Sequence, residues 1–206
     1  MAATAEPMKA TLEEAAREAA ALATDLGREP VLVGALALSF HGYSRETSDV
    51  DIAMAITSDT DLDLILEAAK RRGLHAKAKH QFGGFDFRTK SGARIDVITL
   101  RGELVELTAD AAAEAQRSKR VWGVFGQQML VASIGHLIAL KLIGERQKDK
   151  ADIVELLKAR IEDGRWSSDY GQASDVLKRY LGRYAVSVLD RYVLVARQEL
   201  GTDAGQ

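Results

Sequence analysis

The chain has 206 residues, 47% of them apolar, with a formal net charge of −2 and no cysteine. That length holds one generous domain, or a compact catalytic lobe with a helical partner, and the apolar share supports a real core. Missing cysteines exclude disulfides and thiolate metal sites and fit a cytoplasmic home. The near-neutral charge gives no general pull toward nucleic acid. Nothing approaches the roughly 18 to 20 uninterrupted apolar residues of a membrane span. The opening MAATAEPMKATLEE has one lysine and no apolar h-region, so neither a membrane partner nor a secretory signal is expected.

In chain order, Thr11 followed by Glu14 reads as a capping box that opens an Ala-rich amphipathic helix ending near Gly27. Pro30 introduces a short apolar run, Val31-Leu32-Val33, expected to be a buried strand. Gly34 punctuates it, and residues 35–40 have helical composition. A polar turn over 42–48 leads into Asp49 to Ile56, which alternates: Val50, Ile52, Met54 and Ile56 share one strand face, Asp49 and Asp51 the other. Residues 59–72 read as a helix capped by Ser58 or Asp59 and closed by Gly73. A strand over 74–79 and a turn at Gly83-Gly84 follow. Residues 85–89 and 94–100 are expected as strands joined at Lys90-Ser91-Gly92, with Arg94, Asp96 and Ile98 facing away from Ile95 and Val97. A helix over 104–118 and a hairpin around Gly126 complete the mixed region. Beyond Ser133 the pattern is helical, over about 133–144, 148–160, 172–182 and 184–199, with a frayed tail.

The expected fold class is therefore α+β: a mixed sheet flanked by helices over residues 1–131, and a helical lobe over 132–206 packed on the first, with no low-complexity linker or repeat between them.

Two carboxylates at i and i+2 on one strand face point the same way, about 6 to 7 Å apart. Among Val, Ile and Met neighbours such a pair is costly unless a cation or hydrogen-bond donors compensate it. Magnesium takes a few hard oxygen ligands and keeps positions for phosphates, and two metals clamp the attacking and leaving oxygens of phosphoryl transfer. Asp96 is the natural third ligand if its strand lies beside the first. A lone Asp-x-Asp, by contrast, usually means turn chemistry or surface charge. Gly34 adds weight, because a glycine between a buried strand and a helix start lets backbone N–H groups approach a phosphate.

The stretch Leu32-Val33-Gly34-Ala35-Leu36-Ala37, followed by His41-Gly42, Arg45, Thr47 and Asp49-Val50-Asp51, resembles the signature of the DNA polymerase beta-like nucleotidyltransferases. More narrowly it is similar to the AbiEii-like branch, known for abortive-infection and type IV toxin–antitoxin proteins. Leu140-Lys141-Leu142 and Asp149-Lys150-Ala151-Asp152-Ile153 resemble the helical motif that follows the catalytic lobe there. The resemblance implies the nucleotidyltransferase fold, a two-metal magnesium site on Asp49, Asp51 and Asp96, and Asp96 helping to activate the attacking hydroxyl. It implies nucleotide contacts at Gly34 and Ala35, with Arg45, Thr47 and Lys141 as further phosphate-binding candidates. The activity implied is transfer of a nucleoside monophosphate from an NTP to an acceptor hydroxyl on RNA, protein or a small molecule, with a cognate antitoxin as a partner. Many members carry Gly-Ser or Gly-Gly where this chain has Gly34-Ala35, and Ser39 lies a helical turn, about 6 Å, further on. The rival reading is a non-catalytic interaction protein that keeps the fold.

Other candidates have bland explanations beside the functional one. Arg45 and Thr47 suit holding the loop as well as touching phosphate. Lys141 either snorkels out of its apolar stripe or reaches an anion; Asp149 and Asp152 suit orienting Lys141 or substrate, with Lys148 pairing to Asp152 at i,i+4 as the bland alternative. His41, His75, His80 and His136 have no zinc-like spacing. Tyr180, Tyr184 and Tyr192 are spaced for a helix packing face. The basic clusters Lys70-Arg71-Arg72, Lys77 with Lys79, and Arg117-Lys119-Arg120 read as solvated helix ends and loops, or as a local nucleic-acid patch.

Overall fold

The computed structural model describes residues 5–55, 58–78, 84–99 and 104–202. The expectations at Ile56, Lys79, His80, Gly83, Leu100 and the end of the tail lie outside the described residues. The chain divides into two compact units, Met1–Ala37 with Arg45–Ala132, and Leu38–Ser44 with Ser133–Gln206.

In the first unit the elements run α1 (Ala5–Asp25), β1 (Val31–Leu32), the start of α2 (Gly34–Phe40), β2 (Asp49–Ala53), α3 (Asp59–Arg71), β3 (His75–Ala78), β4 (Phe85–Arg88), β5 (Arg94–Ile98), α4 (Val105–Arg117), β6 (Val121–Val124) and β7 (Gln127–Val131). The strands form one mixed sheet in the order β3-β4-β5-β2-β1-β7-β6. β2 pairs parallel with β5 and antiparallel with β1, so its flanking strands run opposite ways. β3, β4 and β5 form an antiparallel meander, and β6 with β7 a hairpin. This is an α+β architecture with a mixed sheet.

The alternation in β2 is realised: Val50 and Ile52 are completely buried, while Asp49 and Asp51 are half-buried on the other face. Ladder bonding continues past the strand end, with the Met54 N–H donating to the Ile98 carbonyl at 3.1 Å. Helix α1 covers the apolar side of the sheet against β2, β5 and β7, using a face of Ala15, Ala16, Ala19, Leu22 and Ala23. Small residues let the helix sit close to the strands. The β4–β5 turn closes through the Thr89 N–H to the Ala93 carbonyl at 3.0 Å, with Gly92 at φ +92°. The β6–β7 turn places Phe125 and Gly126 both at positive φ, as a tight two-residue hairpin demands.

The second unit contains the rest of α2, then α5 (Ile134–Gly144), α6 (Gln147–Glu162), α7 (Trp166–Leu181) and α8 (Arg183–Glu199). Helices α5 and α7 approach closely at Gly135, where a Cβ would stand 2.9 Å from the Ala173 Cα.

Three expectations are corrected. Helix α1 begins at Ala5, so Thr11 lies inside it; the capping box is found instead on α3, where the Ser58 side chain accepts from the Asp61 N–H and Asp61 accepts from the Ser58 N–H. Helix α7 begins at Trp166, because burial of that indole overrides the weak propensity of Ser167, Ser168 and Gly171. Tyr184 is 70% exposed, because the buried face of α8 is the adjacent stripe Ala185, Leu189, Val193 and Ala196. Among the described residues, no helix is long and apolar enough to cross a membrane.

Candidate metal centre

The parallel β2–β5 register brings the three aspartates together. Asp49 stands opposite Arg94, and Asp51 opposite Asp96. One carboxylate oxygen from each of Asp49, Asp51 and Asp96 lies within 4.8 Å of the others. Asp96 is buried at 8% exposure, and Asp49 and Asp51 are half-buried. At that separation and an effective dielectric near 20, each like-charged pair repels by about 3 kcal/mol before screening. An all-oxygen anionic donor set of this kind suits a hard divalent cation, so the residues fit magnesium.

Two local devices shape the cluster. The Thr47 hydroxyl donates to Asp49 Oδ1 at 2.7 Å, fixing that carboxylate from the loop before β2. Gly34 has φ +62°, and a Cβ there would collide with the Asp51 carboxylate. The glycine between β1 and α2 is thus required on two counts, by its backbone conformation and by the aspartate it approaches. The neighbouring Val33 N–H donates to the Asp51 carbonyl at 3.0 Å, which locks this approach. Ala35 is buried at 2% exposure and offers no hydroxyl.

Arg45 is half-buried and donates from its guanidinium to the Glu46 carbonyl at 3.2 Å. Lys141 lies in the helical unit, where its Nζ is 2.6 Å from Asp152 Oδ2 and 3.5 Å from Asp149 Oδ1, all three side chains being at least nine-tenths buried. Arg146 donates from Nε to Asp149 at 2.6 Å. Burial works against the charge of Asp149, but the Arg146 hydrogen bond and the Lys141 charge outweigh it and hold the carboxyl below its ordinary range. His41 is buried with its ring edge-on to Phe40, and His136 is buried with Nδ1 2.7 Å from the Ser133 hydroxyl. Two of the basic clusters supply ion pairs: Arg72 bonds to Glu18 and Asp25, and Arg120 to Glu114.

Two charged residues beside the aspartates were not singled out from sequence. Asp86 on β4 stands opposite Asp96, and Arg88 opposite Arg94. The Arg94 NH2 nitrogen is 3.5 Å from Asp86 Oδ2 and 3.8 Å from Asp49 Oδ2. The alternation Phe85-Asp86-Phe87-Arg88 carried the signal for Asp86, since both phenylalanines are buried. Only the pairing register could say that Asp86 stands opposite Asp96.

No protein-family model matches the chain, and no curated protein matches it in sequence. Among solved structures it is similar to a crystal structure described provisionally as a nucleotidyltransferase from H. pylori, with 17% sequence identity, 94% of this chain and 97% of that chain covered, and a TM-score of 0.39. At that TM-score the likeness adds nothing to the geometry of the three aspartates.

Proposed function

We propose that the protein is a magnesium-dependent nucleotidyltransferase that moves a nucleoside monophosphate from an NTP to an acceptor hydroxyl, releasing pyrophosphate. The observation that carries this reading is the meeting of three aspartate side chains from two parallel strands beside a glycine whose place no side chain could take. Asp49, Asp51 and Asp96 would hold the metal. Bound there, magnesium would offset the charge of the triphosphate and of the departing pyrophosphate.

The rest falls to the chain's own groups. Thr47 fixes the orientation of Asp49, so that the ligand is set before substrate arrives. Asp96, the most buried of the three, would accept the proton of the acceptor hydroxyl. Gly34 and Ala35 would present backbone N–H groups to phosphate, and Arg45 a positive charge. A phosphate role for Lys141 carries a condition: its Nζ would have to leave Asp152.

In the same reading residues 1–131 form the catalytic lobe and 132–206 a helical lobe. Our biological reading is an AbiEii-like cytoplasmic toxin that modifies an RNA end, a tRNA in first place, and is restrained by a cognate antitoxin. The non-catalytic rival draws on Ala35, which supplies no side-chain phosphate ligand.

The test is incubation with each labelled NTP, magnesium, total RNA and cell protein, beside an Asp49→Ala/Asp51→Ala double variant. Label moved to a discrete RNA or protein band by the wild type alone supports the enzyme and names its acceptor class. Absence of transfer with every NTP, together with no NTP-dependent thermal shift, supports the non-catalytic rival.

A further inference from the structure

Six charged side chains occupy one face of three adjacent strands in two rows. Asp49, Arg94 and Arg88 form one row across β2, β5 and β4, and Asp51, Asp96 and Asp86 the other. Arg94 is the cation nearest the three aspartates in this grid, and it is shared. Its NH2 nitrogen lies 3.5 Å from Asp86 Oδ2 and 3.8 Å from Asp49 Oδ2, both longer than a charge-assisted hydrogen bond of about 2.7 to 2.9 Å. Its Nε is buried and makes no hydrogen bond among the described residues. The guanidinium therefore sits between two carboxylates, donating a long hydrogen bond of 3.5 Å to Asp86 and standing 3.8 Å from Asp49.

That arrangement has a consequence for Asp49. A guanidinium and a divalent cation compete for the same carboxylate, because both satisfy its charge. Asp86 offers Arg94 another anion on the side away from β2. We propose that Asp86 is a positioning residue that draws Arg94 off Asp49 and so keeps the Asp49 carboxylate available to a divalent cation. This rests on the metal-centre reading above and deepens it: the affinity of the site is set by the division of one arginine between two aspartates on different strands.

The sharing predicts effects of opposite sign. In Asp86→Asn, Arg94 loses its outer partner and closes on Asp49, and metal affinity falls about tenfold, the lower end of the range for groups that support metal ligands. In Arg94→Gln the competitor is gone, and affinity rises several-fold. Because Asp86 acts through Arg94, adding Asp86→Asn to Arg94→Gln changes affinity by less than about twofold. Arg88, which is 3.9 Å from Asp86 Oδ1 and mostly exposed, serves as the charge control: Arg88→Gln removes a nearby positive charge without touching Asp49, and leaves affinity within about twofold of wild type.

The experiment titrates the full chain with Mn2+ alone, following free Mn2+ by electron paramagnetic resonance, with metal-free thermal unfolding of each variant to establish that it folds. Opposite shifts in the two single variants, with the Asp86→Asn effect lost on the Arg94→Gln background, support the inference. Equal weakening by Asp86→Asn in both backgrounds overturns it, since Asp86 would then act only through its own charge. Unchanged affinity in both single variants overturns it too, provided that Asp51→Asn abolishes uptake, which leaves the metal centre standing. Uptake by the wild type that Asp51→Asn does not reduce, or no uptake at all, removes the metal centre and this inference with it.

Discussion

Asp51 and Asp96 lie directly opposite each other across the parallel pairing of β2 and β5, two acidic side chains on adjacent strands of the sheet. Like charges in that position weaken a strand pair, and the cost is tolerable where a cation is bound. Replacing one of them should therefore separate stability from metal dependence. Asp51→Asn is expected to stabilise the metal-free protein by roughly 0.2 to 1 kcal/mol, and to abolish the rise in Tm produced by magnesium. Differential scanning calorimetry with and without magnesium reads both effects, and a variant that keeps the full magnesium shift would sink the metal centre.

Gly34 should not tolerate even a methyl group. At φ +62° any other residue is strained, and the added Cβ collides with the Asp51 carboxylate. Gly34→Ala is expected to cost about 1 to 3 kcal/mol in urea unfolding, and also to lower metal affinity, because Asp51 must move aside. A loss of stability with unaltered Mn2+ binding would show that the approach to Asp51 has no part in ligand placement.

The buried ions of the helical unit make a different prediction. Lys141 serves both Asp149 and Asp152. Lys141→Met takes the shared cation from two buried carboxylates, at a cost of roughly 3 to 5 kcal/mol. Removing Asp152 in the same chain, as Lys141→Met/Asp152→Leu, should recover much of that loss, since an apolar pair of similar volume has no charge to desolvate. Chemical denaturation of the two variants side by side decides this.

Asp149 gives the same unit a defined response to acid. Its folded-state pKa is depressed below the ordinary value of 3.8, so its contribution to stability is present above that value and is lost as pH falls through the lower, folded value. Stability should fall with acid below about pH 3.8, and Asp149→Asn should flatten that part of the profile while lowering stability at neutral pH. Denaturation midpoints measured from pH 6 down to pH 2 test the sign; a profile identical to wild type would mean that Asp149 bears none of the linkage.

At Gly135 the prediction concerns packing alone. The α5–α7 crossing leaves a Cβ there 2.9 Å from the Ala173 backbone and 3.2 Å from the Val176 side chain. Gly135→Ala is expected to cost about 1 to 3 kcal/mol despite its better helix propensity, and Gly135→Ala/Val176→Ala to cost less than the sum of the two single changes.

The sequence by itself determined the local elements and the face each residue takes. The alternation over residues 49–53 put Asp49 and Asp51 on one side of a strand because successive side chains of an extended chain must point opposite ways. The same rule placed Asp96 away from Ile95 and Val97, and Gly126 announced a tight hairpin. Local signals failed where burial overruled them, as at Trp166, and where the helix began upstream of the motif, as at Thr11. The pairing of β2 with β5 was decided only by the tertiary structure, since these strands are far apart in sequence and periodicity carries no record of their meeting. The juxtaposition of Asp51 with Asp96, the place of Asp86 beyond it, and the position of Arg94 between Asp86 and Asp49 are all consequences of one strand order and one register. A slip of a single residue in that register would have sent the same carboxylates to the opposite face.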